Sequence, residues 1–328
     1  MNTLITRRSA LGHAVAGGLS LGLAGAGWPA HADTTVKLIL PNATGSGVDA
    51  ITRSAASALG KALNASVVIE NMAGAGGVLG LQALTKAAPD GNTLSVVSNN
   101  VVIFPSVIKN LPFNMPGDFT PIAMVGSTPM VMVVNPQKVT ATNAKEWVAL
   151  LKAKPDSYNF GSGGTGTILH LAAEMFLDEA KVTARHIPYK GVGQMVTDLL
   201  GGQIDFGVVA TPSVLQHIKA GSLRAIGMCG DKRTPTLPDV PTFVEQGWPG
   251  YVMEAWFAVI GPKGMASASV KKVHEAVVAA FNDAGVKEAM AKQGNLIQIS
   301  STEQAEKAFR SELSKYAALV KKAGITPE

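Results

Sequence analysis

Cysteine is all but missing. Cys229 stands alone in 328 residues, so no internal disulfide can form, and without a C-x-x-C pair or a Cys/His cluster the spacing offers no metal site. It reads as a small buried apolar residue in the strand-like LRAIGMCG. Charge is sparse too, at 16% of residues. No run of Lys and Arg with interleaved aromatics occurs, and the charges are too scattered for a nucleic-acid footprint. No P-loop, G-x-S-x-G elbow or H-E-x-x-H helix is present, so a hydrolase or metalloenzyme has no visible machinery. No repeat of about 20 to 50 residues marks a solenoid. No apolar run reaches the roughly 20 residues that span a bilayer.

What is there is a chain that is 47% hydrophobic, long enough to bury a sizeable core and to divide it between two lobes. Its first residues read as an address rather than as fold. Arg7 and Arg8 precede a glycine-broken Gly/Ala/Leu run from Ala14 to Gly27, and Ala30-His31-Ala32 makes an A-x-A cleavage signal. Thr6-Arg7-Arg8-Ser9-Ala10-Leu11 resembles a twin-arginine export motif, with Ala10 where a bulky apolar residue is usual. The expectation is a cleaved export signal over residues 1–32 and a periplasmic protein. Without Arg7 and Arg8 the 28 basic residues become 26 against 23 acidic ones, a net charge of +3, enough to help attract an anionic solute.

Strand-like and helix-like segments then alternate. Residues 34–41, 66–71 and 93–99 read as strands, with helical periodicity over 49–63 and 78–88 between them. Such βαβαβ order predicts a parallel sheet with helices on both faces. After the strand-like IAMVG and MVMVVN a second strand–helix series runs from Asn143 to Met228. The strand EAWFAVIGP and helices over 267–281, 286–294 and 302–323 close the chain. The expected organisation is α/β with two hinged lobes, lobe 1 from 33–125 and 256–328 and lobe 2 from 126–255, and a cleft between them. In open α/β sheets a ligand sits at the carboxyl ends of strands, which directs attention to the loops that follow strands.

Two of those loops share one character. PNATGSGVD (41–49) and GSGGTGT (161–167) are glycine-rich, bear hydroxyls and lack Lys or Arg. Glycine lets successive N–H groups point into one space, and the following helix adds its positive end. Each loop is therefore either an anion site made of amides or a tight turn with a helix cap. Gly161, Gly163 and Gly166 spell G-x-G-x-x-G. A dinucleotide site also wants an acid about 20 residues on, and Asp178 and Glu179 come too early. His170, Asp198 and Asp205 could be imagined as an acid/base set, but a helical His between leucines reads as a packed residue.

In order and spacing, PNATGSGVD, ENMAGAGGVLG, KAAPDGNTL, SNN, FGSGGTG…HLA, IPYKG, DLLGGQID, IKAGSLRAI and RTPTLPDVPTFVEQG closely resemble the periplasmic receptors of tripartite tricarboxylate transporters, the Bug-type solute-binding proteins. The resemblance covers the chain beyond the export signal. It implies a two-lobed Venus-flytrap fold of the type II-like periplasmic binding proteins, no catalytic activity and no cofactor. It also implies a small carboxylate ligand and handover to integral membrane subunits, by a receptor expected to be a monomer without a nucleic-acid partner. Carried over by position, Asn42, Thr44, Gly45, Ser46, Gly47, Val48 and Asp49 would hold one carboxylate. Ser98, Asn99 and Asn100 would edge the cleft; Ser162, Gly163, Thr165, Gly166, Thr167 and His170 would supply the second lobe's contacts; Val209, Ala210 and Thr211 would line the far wall. Where many relatives have an Asp-Asn pair this chain has Val209 and Ala210, and where they have small hydroxyl residues before the His it has Ile168 and Leu169. Those departures remove polar groups and point to a carboxylate with an apolar middle, of the terephthalate or phthalate type, ahead of citrate-like acids and amino acids. Lys190, the one cation near a family motif, reads first as a solvated surface lysine. A sensory binding protein with a signalling partner is the other receptor reading, and an enzyme on a similar frame ranks below both.

Overall fold

Two sheets, not one, take up the strands. The computed structural model describes residues 34–327, and the expected export signal lies outside the described residues. The first lobe begins with β1 (Thr35–Leu40), α1 (Gly47–Leu63), β2 (Ser66–Asn71), a short 3-10 turn (Gly74–Gly77), α2 (Val78–Thr85), β3 (Thr93–Ser98), α3 (Asn100–Val107) and β4 (Phe119–Thr128). The second lobe holds β5 (Met130–Val134), α4 (Ala144–Ala153), β6 (Asn159–Ser162), α5 (Ile168–Ala180), β7 (Arg185–Pro188), α6 (Val192–Leu200), β8 (Phe206–Ala210), α7 (Thr211–Lys219) and β9 (Arg224–Met228). The chain then returns to the first lobe with β10 (Ala255–Pro262), α8 (Ser267–Asn282), α9 (Ala284–Gln293), β11 (Leu296–Ile297) and α10 (Thr302–Lys322).

The first sheet has the order β11-β4-β10-β3-β1-β2 and the second β7-β6-β8-β5-β9. The expected parallel pairing holds where strand follows helix in one lobe: β1 with β2 and β3, and β6 with β7 and β8. It fails where a strand arrives from the other lobe. β10 is antiparallel to β3 and β4, and β5 is antiparallel to β8 and β9, so each sheet is mixed rather than parallel. The cause is connectivity: β5 follows β4 after Pro129 alone, and β10 returns after the excursion from Cys229 to Glu254. Neither strand has a crossover helix of its own to restore direction.

Side-chain alternation divides each strand between two layers. In β1, Val36, Leu38 and Leu40 join Ile51 of α1, Val277 of α8 and Met290 of α9, while Ile39 faces the opposite side with Leu81 of α2, Val102 of α3 and Phe309 of α10. That second cluster runs without a break into the core of the second lobe, around Trp147, Phe160, Phe176 and Phe206. Helix ends follow local chemistry. The Ser46 and Thr167 hydroxyls accept the N–H of Asp49 and His170 at the starts of α1 and α5, and Ser301 with Gln304 forms a capping box on α10. No described helix is long and apolar enough to cross a membrane.

Trp147 is fully buried, edge-on to Tyr158 at 4.9 Å and to Phe206 at 5.1 Å, with its indole N–H unpartnered among the described residues. Trp147→Ala is expected to lower unfolding stability by about 3–5 kcal/mol, the cost of a large aromatic cavity. Trp147→Phe removes an unpaired donor along with part of the ring and should cost less than half as much. Denaturant midpoints of the two variants would check this; equal losses would contradict it.

Candidate functional site

Parallel strand–helix units leave each strand at its carboxyl end and start each helix there. In this fold the units of both lobes turn those ends toward one cleft. Its lining comes from the starts of five helices: Ser46, Gly47 and Val48 at α1; Asn100 at α3, with Ser98 before it; Thr167, Ile168 and Leu169 at α5; Gly191 and Val192 at α6; Ala210 at α7. Pro41, Asn42, Ala43, Ala73, Gly76, Thr128, Gly163 and Lys190 complete the loops, and β10 adds Ala255, Trp256 and Phe257. The cleft holds about 70 Å³, on a measure by which one water needs roughly 10–15 Å³. That is room for a small organic molecule.

Among the described residues no Asp or Glu lines this space, and Lys190 is its one charged residue. The first amides of a helix have no intrahelical acceptor. Among the described residues nothing else accepts from the N–H of Gly47, Val48 or Leu169. Helix starts carry partial positive charge, so the cleft presents unspent donors, a positive field and no negative side chain. Between the donors the walls are apolar: Val48, Ile168, Leu169, Val192, Ala210 and the Trp256 indole, held by its Nε1 bond to Glu312 at 2.8 Å. Such a surface suits an anion with a greasy body.

Of the nineteen residues expected at the site, nine line the cleft: Asn42, Ser46, Gly47, Val48, Ser98, Asn100, Gly163, Thr167 and Ala210. The other ten stand behind or beside it. Asp49 accepts from Gly45 N–H, Arg53 Nε and Asn71 Nδ2 at 2.9–3.0 Å. Burial pushes its carboxyl up, but the Arg53, Gly45 and Asn71 hydrogen bonds outweigh this and hold it below the ordinary value. It thereby braces the loop that Thr44 and Gly45 expose to solvent. Asn99 is fully buried, donating to Tyr316 and to the Glu254 carbonyl and accepting from Trp256 N–H at 2.8 Å, and so fixes where β10 enters the cleft. Val209 fails to reach the far wall because side chains alternate along a strand: Ala210 faces the cleft, and Val209 is sealed in the core. Thr211 gives both its N–H and its hydroxyl to the Pro129 carbonyl at 2.9 Å.

The glycine loop of the second lobe is built the same way. Ser162 Oγ is bonded to the Gly164 backbone and lies 2.7 Å from His186 Nε2, and Thr167 Oγ1 donates to Gly164 O at 2.8 Å. The hydroxyls close the loop instead of facing the cleft. Thr165 is half-exposed and off the lining. Gly166 has φ +75°, and a Cβ there would meet Val107 of the other lobe, which accounts for this glycine without any nucleotide. His170 Nδ1 accepts the Gly166 N–H at 3.2 Å and its ring stacks on His186 with centroids 3.9 Å apart, so it supports the loop from behind. Asp198 accepts from Tyr189 Oη and Asp205 from Asn159 N–H; with His170 they form no common centre. No cluster of three or more His, Cys, Asp or Glu able to hold a metal occurs among the described residues. Cys229 is buried, its thiol pushed up to about 12 by desolvation.

Sequence reading missed the β10 wall and gave Lys190 to solvent. Lys190 is exposed but stands on the cleft, and the adjoining glycine was the available signal: a Cβ on Gly191 would lie 2.5 Å from that of Ala43 in the other lobe. The lobes also meet through Asn100, whose Oδ1 accepts the Ile168 N–H at 2.8 Å.

The model of the tripartite tricarboxylate transporter family receptor matches residues 51–325. Protein BugT of Bordetella pertussis is 34% identical over 313 residues, 94% of this chain and 96% of its own length. The structure of the periplasmic binding protein BugD superposes with a TM-score of 0.86 at 30% identity, over 90% of this chain and 99% of that one. An R. palustris protein solved with adipate gives a TM-score of 0.86 at 25% identity, covering 92% and 100%.

Burial, and secondarily the charge of His170, holds the His186 imidazole down at about 3 against an ordinary 6.5. Between those values the folded state binds fewer protons than the unfolded chain, so the stability His186 contributes is complete above about pH 6.5 and is lost as pH falls toward 3. His186→Phe keeps an aromatic ring in the stack and removes the proton site. Its urea midpoint should fall less steeply between pH 6.5 and 4 than that of the parent chain; identical slopes would refute the assignment.

Proposed function

Because the chain belongs to the tripartite tricarboxylate transporter receptor family, whose members are periplasmic solute-binding proteins, we propose that it captures a carboxylate with an apolar middle and delivers it to the integral membrane subunits of such a transporter. An aromatic mono- or dicarboxylate of the terephthalate type is the favoured ligand. The observation that carries this reading is the pairing of unspent helix-start amides with the apolar wall of Ile168, Leu169, Val192, Ala210 and Trp256 in a cleft without acids. The carboxylate would lie against the Gly47 and Val48 amides of one lobe and the Leu169 amide of the other, with its body along the Trp256 indole. Asn42, Ser46, Ser98, Asn100 and Gly163 would complete the polar contacts, with Thr167 holding its loop in place behind them.

Magnitudes support such a grip without a guanidinium. Hydrogen bonds to a charged group contribute roughly 1.5–3 kcal/mol each, so three or four reach the ~8 kcal/mol of micromolar affinity once association costs are met. An amino acid fits less well. Among donors and apolar side chains its ammonium would find one lining side chain with a buried unpartnered acceptor, Asn42 Oδ1, and a buried charge left short of partners costs about 1–3 kcal/mol or more. Aliphatic diacids are the second reading, favoured by the relative solved with adipate. Delivery from the periplasm requires export, for which the proposed signal over residues 1–32 with cleavage after Ala32 would serve.

Calorimetric titration with terephthalate, benzoate, adipate, citrate and glutamate tests the proposal. Terephthalate is expected to bind most tightly, with adipate next and glutamate weakest. Tight glutamate binding with no aromatic binding would overturn it.

A further inference from the structure

We infer that Lys190 is the specificity-determining residue that selects a second carboxylate, making this cleft a dicarboxylate site rather than a monocarboxylate one; the inference rests on the carboxylate reading above. Three observations carry it. The cleft is lined at helix starts by amides that hold one carboxylate without any cation, so a lysine is not needed for the first charge. Lys190 is nonetheless the one charged side chain on the lining, and it has no ion-pair or hydrogen-bond partner among the described residues. Carboxylates on the helices that line the cleft are engaged elsewhere: Asp49 with Arg53, Asp198 with Tyr189 and Glu174 beside His170. An unpaired ammonium at the edge of an acid-free cleft has only solvent or solute to meet.

The backbone around it is fixed, so the lysine is presented rather than merely present. Tyr189, the preceding residue, is tied at both ends, by its N–H to Ser162 O at 3.2 Å and by its hydroxyl to Asp198 at 2.9 Å. Gly191, the following residue, packs against Ala43 of the opposite lobe so closely that it admits no Cβ. Lys190 thus sits where the two lobes touch, while the free amides of Gly47 and Val48 lie in the first lobe across the cleft. A rigid diacid held at one end by those amides has its other carboxylate available to the ammonium. A compact, rotatable point charge suits that role, because it can follow ligands of different length without demanding the planar geometry of a guanidinium.

The test compares matched acids that differ by one carboxylate, terephthalate against benzoate and adipate against hexanoate, in the parent chain and in Lys190→Ala, Lys190→Gln and Lys190→Arg. Because Lys190 is exposed, thermal melting of the unliganded variants should be unchanged, which keeps binding separate from folding. Replacing Lys190 by Ala or Gln is expected to weaken the diacids about tenfold, near the lower end for one charge-assisted bond at a solvated rim. The monoacids should change less than about twofold, and Lys190→Arg should retain most diacid affinity. Added salt should weaken diacid binding more in the parent chain than in Lys190→Ala. Equal losses for both members of a pair, or no loss at all, would overturn the inference. A parent chain that takes the monoacids and refuses the diacids would overturn the lysine's role and leave the carboxylate reading standing. Binding of none of the four would overturn the carboxylate reading itself.

Discussion

A helix that follows a parallel strand begins where that strand ends, and in this fold the consequence is repeated five times around one space. The starts of α1, α3, α5, α6 and α7 all reach the same cleft. Each brings amides that the helix cannot satisfy and the positive end of a peptide dipole. Their donors are backbone groups already fixed by the sheets, so engaging them costs no long side chain its freedom. Other features of the site preserve this arrangement. Acids are kept off the lining, the loops are narrow enough for backbones to approach, and the walls between the donors are apolar, so that water offers little competition for the amides.

The polar side chains near the cleft mostly serve the backbone. If Ser162 and Thr167 aimed their hydroxyls at a solute, the Gly164 carbonyl would keep only the Thr167 N–H as a donor; both close the loop on it instead. Asp49 does the same for the first lobe. A carboxylate so close to the proposed anion site would repel such a ligand if it faced it, yet in the first turn of α1 it complements the dipole, and its oxygens are spent on Gly45, Arg53 and Asn71. His170 and His186 stack beneath the second loop. Burial keeps the His186 ring uncharged, so it stiffens the loop without adding a fixed positive charge behind it. On the lining, among the described residues, the charge comes from peptide dipoles and from Lys190.

Much of this architecture was legible in the residue pattern, and the failures have physical causes. The strand–helix alternation was readable because buried strands and amphipathic helices differ in period, and the two glycine loops were readable because helix starts draw on a small set of residues. Helix α3 was not: NVVIFPSV is apolar on every side and carries Pro105, so it shows neither a 3.6-residue stripe nor an uninterrupted run. The wall formed by Trp256 and Phe257 was hidden for a different reason. It comes from a strand about 90 residues beyond the second glycine loop and more than 200 beyond the first, running antiparallel to its neighbours after a crossing between lobes. Side-chain direction was the third gap. Asn99 and Asn100 are adjacent and identical, yet one is a buried bracket to Tyr316 and Trp256 while the other lines the cleft and reaches the opposite lobe.

That last contrast bears on how the lobes come together. The Asn100 side chain caps the first amide of α5 across the cleft, Gly166 lies against Val107, and Gly191 lies against Ala43. All three contacts join one lobe to the other, and none involves a solute. A ligand shifts a conformational equilibrium only by the difference in its affinity for the two states. Where the protein supplies part of the closing interaction, the solute need supply only the remainder. The amide left free on α5 is Leu169, the second of the helix, because Asn100 has taken the first. On the proposed reading the protein's own acceptor and the solute's carboxylate would hold adjacent amides of one helix start. On that reading, a carboxylate that bonded both lobes at once would add to contacts the lobes already make with each other.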